Sequence, residues 1–136
     1  MADDDGGDAA AQEALFAAQM QMRSAAVADA LRGARPAEAL RLALQDAPLA
    51  SKDAALKQAN FDLVLRALQA AAQREDQLAA FFENCDADSA DVLMKYLYRG
   101  LRAPDNSALL LRLHAQLLEK AGVGCITRAI VDRKTA

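Results

Sequence analysis

With 136 residues, the chain fits one domain that can bury roughly two-thirds of its unfolded surface, so it needs no disulfide or metal staple. Hydrophobic residues make up 54% and aromatics only 4%, with Ala and Leu dominant, which favours helix throughout and leaves strands no obvious home. The net charge of −3 argues against a nucleic-acid or anionic-membrane surface as the main partner.

The N-terminus, MADDDGGD, is acidic and lacks the basic-then-apolar order of a signal peptide. No apolar run approaches the length of a membrane span. Cys85 and Cys125 stand far apart with no CxxC or Cys/His spacing, the pattern of isolated thiols in a reduced, cytosolic protein. A soluble intracellular chain is the expectation.

In chain order, residues 1–10 carry a run of Asp and two Gly with nothing to bury, and are expected to form a disordered acidic tail. Residues 11–33 form an Ala-rich helix with Leu15, Met22 and Leu31 as its larger apolar groups. So little apolar bulk suggests a helix that orders against a partner. The helical core domain is expected over 34–136. Gly33 interrupts, and Pro36 suits the first turn of a helix ending near Asp46, with Ala39, Leu40, Ala43 and Leu44 on one face and Pro48 beyond its end. Ser51 is the expected cap of a longer helix, with Asp53 in its first turn. Leu56, Ala59, Leu63, Val64, Ala67 and Leu68 form its core stripe, widened by Phe61 and Leu65. Leu78, Phe81 and Phe82 make a short helix ending near Asn84, and Asp86 to Ser89 forms a polar turn able to cap the next.

That next helix, at about 89–100, organises the chain. Asp91, Lys95 and Arg99 fall in one line at i, i+4, i+8, while Val92, Leu93, Met94, Tyr96, Leu97 and Tyr98 surround the rest of the wheel. A helix apolar nearly all round must be enclosed, so this is a central helix with one solvent-facing ridge. Asp91 also precedes Lys95 by four, the favourable order for a helix ion pair. Tyr96 and Tyr98 lie about 200° apart, so one belongs to the core and the other faces a neighbouring helix or subunit. After Gly100, Pro104 to Ser107 is a turn and cap signal. A helix with Leu109, Leu110, Leu113, Leu117 and Leu118 follows and closes at Gly122. The last short helix is expected to hold Ile126, Ile130 and Val131 inward, with Arg133 and Lys134 at its negative end. The fold class is all-α: a single domain of about seven short helices stacked as an irregular α-α superhelix around the central helix.

Chemistry is sparse. His114, the only histidine, lies beside Leu110, Leu117 and Leu118 with no ligand-type residue on its face, which makes it a hydrogen-bonded packing residue rather than a base or metal ligand. Gly122-Val123-Gly124 lacks the strand and GK[ST] of a phosphate loop and is a helix corner. Cys85 has no basic neighbour to activate it and is read as an inert packed thiol. No catalytic residue, metal site or cofactor site is assigned. The basic groups Lys95, Arg99, Arg102, Arg112 and Arg128 would complement an acidic surface or form an ordinary solvated face, and the candidate partner-binding residues are Lys95, Arg99, Arg102, Tyr98 and Arg128. On this view, replacing Lys95 and Arg99 by Glu leaves the fold intact and weakens binding.

DVLMKYLYRGL, PDNSALLL, a single His in a leucine-rich helix and GVGCITRAIVDRKTA occur in the order seen in one family. Over residues 91–135 the chain resembles subunit 5, the smallest subunit of the actin-nucleating actin-related protein 2/3 complex. The likeness is weaker but collinear from Val27 to Asn84. At Leu113 the chain lacks the aromatic that usually precedes the histidine. The resemblance implies a non-catalytic, all-α structural subunit that supports nucleation of branched actin filaments in the cytoplasmic actin cytoskeleton. Its implied partners are subunit 4, the β-propeller subunit 1 and actin-related protein 2, with actin filaments reached through the complex. Family members carry an acidic N-terminal segment with interspersed aromatics that reaches actin-related protein 2. Residues 1–10 here have no aromatic, so that tether is shortened, replaced by the 12–32 helix, or absent. The other function class open to such a chain is a free-standing helical adaptor binding a partner peptide or helix.

Overall fold

The computed structural model describes residues 2–103, 105–122, 124, 128–130 and 136, with only the backbone of residues 2–6. Every described element is helical: α1 (Ala2–Arg32), α2 (Pro36–Leu44), α3 (Ala54–Ala72), α4 (Glu75–Asn84), α5 (Ala87–Leu101) and α6 (Ser107–Ala121), followed by helical residues 128–130. The expected final helix falls there, although Ile126, Val131, Arg133 and Lys134 lie outside the described residues, as do Pro104, Val123 and Cys125.

The first helix begins at Ala2, so residues 2–10, expected to be an unstructured tail, continue it without a break. Propagation adds one hydrogen bond per residue once a helix exists, and acidic residues suit its positive N-terminal end. Only one side of α1 meets the body. Phe16, Met20, Arg23, Val27, Ala30 and Leu31 fall on that side, with Val27 and Ala30 fully enclosed.

Short connections stack the helices as neighbours. Ala34 and Asp46 adopt left-handed backbone at φ 56° and 53°, reversing the chain on either side of α2. Pro36 opens α2 at its first turn, where a missing N–H costs nothing. Although only nine residues long, α2 packs against α1, α3, α4 and α5, with Ala39, Leu40 and Ala43 at full burial. Three Ala within nine residues let four helices approach it closely, so α2 shares the central role expected of α5 alone.

The cap of α3 is Asp53 rather than Ser51: Asp53 Oδ1 accepts from the N–H groups of Ala55 at 3.0 Å and Leu56 at 3.3 Å. Ser51 instead sits buried between elements, donating to Glu13 of α1 at 2.6 Å while its Oγ accepts from Asp53 N–H. Glu13 also accepts from the N–H of Lys52 at 2.8 Å, tying the α2–α3 connection to α1. At α5 the expected turn does cap the helix, through Asp86 Oδ1 and the N–H of Ser89 at 2.7 Å. That bond holds the exposed Asp86 carboxyl below its ordinary range.

Helix α5 buries Ala90, Leu93, Met94, Lys95, Tyr96, Leu97 and Gly100, with α6 along one side. Each fully buried Leu or Met contributes roughly 1.5–3 kcal/mol, far more than any ion pair on its surface. Gly100 is the closest point of approach. A Cβ there would lie 2.6 Å from Leu110 Cδ1 and 3.5 Å from the Phe61 ring. Gly100→Val is therefore expected to lower the unfolding free energy by about 2 kcal/mol or more in urea titrations, through overpacking that its helix propensity does not offset. An unchanged midpoint would mean that α5 and α6 can separate freely.

Candidate partner-binding face

The basic residues of α5 do not form an open ridge. Lys95 is only 9% exposed. Arg99 is turned back onto its own chain. Its Nη1 donates to the main-chain oxygen of Ala136 at 2.8 Å, its Nη2 donates to Gln58 Oε1 at 2.6 Å, and its guanidinium lies 5.2 Å from the Phe61 ring centroid. Asp91 is engaged by Arg128. Its two oxygens accept from Nε and Nη2 of Arg128 at 2.7 and 2.8 Å, a bidentate geometry that a planar guanidinium satisfies better than an ammonium. Two members of the ridge, Asp91 and Arg99, are therefore engaged by Arg128 and Ala136 of the same chain. Replacing Lys95 and Arg99 by Glu would break these contacts and destabilise the domain, contrary to the expectation from the helical wheel.

Tyr98 packs on α6. Its ring meets His114 edge-on at 5.4 Å, and its hydroxyl lies 3.2 Å from His114 Nε2. Both are half-buried, so the histidine is a hydrogen-bonded packing residue, as its surroundings in sequence imply. Lys95, Tyr98, Arg99 and Arg102 converge on one small recess with Ala129 and Ala136. It opens beside a cleft of ≈430 Å³ formed by Tyr98, Leu101, Arg102, Ala129 and Ile130. Arg128 stands apart, in a separate recess with Cys85, Asp86 and Lys120. Of the five candidate residues, Arg102 and Arg128 are exposed.

Ile130, expected to face inward, is 67% exposed at the rim of the cleft. The helical piece at 128–130 turns Ala129 toward the body instead, the smaller residue being the one that fits. Leu111 is also exposed on α6, because Leu110, Leu113 and Leu117 already supply its buried stripe. An exposed branched aliphatic beside a half-buried tyrosine and an arginine is the composition of an interface anchor.

A second constellation went unread in the sequence. Arg23 of α1 is buried. Its Nε donates to Asn60 Oδ1 at 2.6 Å, and its Nη1 donates to the carbonyls of Gln45 and Asp46 at 3.3 and 3.0 Å. Asn60 is fully enclosed and donates in turn to the hydroxyl of Tyr96 at 2.6 Å and to the carbonyl of Ala43 at 3.3 Å. Burial pushes the Tyr96 hydroxyl above its ordinary pKa, with the Asn60 hydrogen bond and Arg23 opposing, and burial likewise pulls the Arg23 guanidinium down. The relay fastens four helices at one point. A signal existed: Asn60 lies on the apolar stripe between Leu56 and Val64, and a polar residue in such a place needs a buried partner.

Cys85 is half-buried and lies 3.5 Å from the Asp86 carbonyl. Among the described residues no group of three His, Cys, Asp or Glu could hold a metal ion, and no helix is long and apolar enough to cross a membrane.

A family model described as ARP2/3 complex 16 kDa subunit (p16-Arc) matches residues 3–136. The chain is 35% identical over 129 residues to actin-related protein 2/3 complex subunit 5 of Dictyostelium discoideum, an alignment covering 95% of this chain and 92% of that protein. It is 37% identical over 122 residues to subunit 5A of Arabidopsis thaliana, covering 88% and 89% of the two chains. With subunit 5-C of Xenopus laevis the identity is 37% over 111 residues, covering 80% of this chain and 73% of that one. The motifs around α5 and α6 and the match along nearly the whole length agree: the chain belongs to the ARP2/3 complex 16 kDa subunit family.

Proposed function

We propose that the chain is a non-catalytic structural subunit of the actin-related protein 2/3 complex, and that it helps hold actin-related protein 2 in an assembly that nucleates branched actin filaments. The full-length family match is the observation that carries this reading. Its partners on this view are subunit 4, the propeller subunit 1 and, through α1, actin-related protein 2, in the cytoplasmic actin cytoskeleton. The side chains support a packing role: the one histidine is engaged with Tyr98, and the buried polar groups are spent on holding helices together.

The cleft of Tyr98, Arg102 and Ile130 is the partner-binding site in this proposal, with Arg128 flanking it. Arg102 and Ile130 are exposed, so Arg102→Glu and Ile130→Asp should leave the fold unchanged by circular dichroism. Each is expected to weaken binding to a complex reconstituted without its smallest subunit by about tenfold, equivalent to about 1.4 kcal/mol. Unchanged affinity in both variants would move the interface to another face.

A further inference from the structure

Helix α6 is richer in leucine than its own contacts use. It carries six leucines in 15 residues and packs along α5, with no comparable packing against another helix among the described residues. Leu110, Leu113 and Leu117 fill that contact, and Leu109 joins the core at its edge. Two leucines are left over. Leu111 is 57% exposed, and Leu118 is half-buried without joining the core among the described residues. With the exposed Ala108 and Ala115 they follow one another at steps of three, four and three residues. The four span about 80° of the helix wheel, the narrow seam of a helix pair. Small and large side chains alternate along it, so a second helix can lie close over each Ala and between the leucines.

The seam runs into the cleft of Tyr98, Arg102 and Ile130. His114 follows Leu111 by three and precedes Leu118 by four, so it neighbours both on the helix surface. Its ring meets Tyr98, which lines the cleft with the exposed Ile130. One apolar surface therefore continues from Leu118 through His114 to Ile130. Charge marks one end of it. Arg102 and Arg112, where α5 ends and α6 begins, are both exposed and bond to no carboxylate among the described residues. Asp105, in the turn between them, is exposed and engages neither.

We infer that in the complex this seam is covered by an amphipathic helix of another subunit. The partner helix turns acidic side chains toward Arg102 and Arg112 and sets one large apolar side chain in the Tyr98–Ile130 cleft. This rests on the reading of the chain as a subunit and names what its cleft receives. The alternation of small and large residues calls for a helix, and two arginines without a carboxylate at one end call for an acidic one. Docking of this kind places anchors at i, i+3, i+4 and i+7, the spacing that the seam offers.

The test titrates the full chain against a complex reconstituted without its smallest subunit. Leu111→Glu, Ala115→Glu and Arg112→Glu are compared with Gln116→Glu, which lies on the same exposed side but off the seam. All four positions are exposed, so urea midpoints should match the wild type. Leu111→Glu and Ala115→Glu are expected to weaken binding by about tenfold or more, and Arg112→Glu by several-fold. Gln116→Glu should bind as tightly as the wild type. A photo-cross-linking side chain placed at 108, 111, 115 or 118 should label one segment of one other subunit, at intervals of three and four residues. Wild-type affinity in both Leu111→Glu and Ala115→Glu overturns the inference, as does labelling of a second copy of this chain or labelling at the two-residue intervals of a strand. Failure of the subunit reading looks different: the wild-type chain itself then does not bind, and the inference falls with it.

Discussion

Tyr96→Ala is expected to lower the unfolding free energy by about 3–5 kcal/mol. The ring is enclosed on α5, stacks against Phe61 with centroids 6.4 Å apart, and offers its hydroxyl to Asn60. Truncation leaves a cavity among α2, α3 and α5 and removes one of the two acceptors of the Asn60 amide. Tyr96→Phe separates the two effects: it retains the ring and forfeits one hydrogen bond, for an expected loss of about 1 kcal/mol. Urea titration followed by circular dichroism measures both. A loss below about 1 kcal/mol for the alanine variant would show that the site collapses freely and that α5 is not held from this side.

Asn60→Leu should cost almost as much, about 2–5 kcal/mol, although it puts an apolar residue of similar size into an apolar surrounding. The reason lies in what it abandons: the Arg23 guanidinium loses the acceptor for Nε, and Tyr96 loses a donor, each buried group costing about 1–3 kcal/mol when left unpaired. Replacing both partners tests this directly. Asn60→Leu with Arg23→Met removes the stranded charge together with its acceptor, and the double variant is expected to be more stable than Asn60→Leu alone. If the two losses simply add, Arg23 and Asn60 are not coupled, and α1 is held by Val27 and Ala30 packing instead.

The all-helical fold and most element positions are legible in the sequence because Ala/Leu periodicity, Pro36, Asp86 and Gly122 act locally. What failed was tertiary. Asp91, Lys95 and Arg99 do share one helix face, yet a wheel cannot reveal that Ala136 and Arg128 return to engage Arg99 and Asp91. Ile130, expected inward together with Ile126 and Val131, is left exposed because Ala129 takes the side that meets the body. Nothing local distinguishes a buried arginine such as Arg23, because its oxygen acceptors come from α3 and from the end of α2, 22 or more residues away. Of the candidate partner residues, Tyr98 and Arg102 meet at the cleft, whereas Lys95 and Arg99 serve the fold.

Belonging to this family implies that the chain works as part of an assembly, and the most direct test is to purify the tagged, full chain from its native cells and identify what accompanies it by mass spectrometry. Two actin-related proteins and a propeller subunit are expected in fixed proportion to the chain. Recovery of the chain alone, or with unrelated proteins only, would contradict it and leave a helical adaptor in place of a subunit.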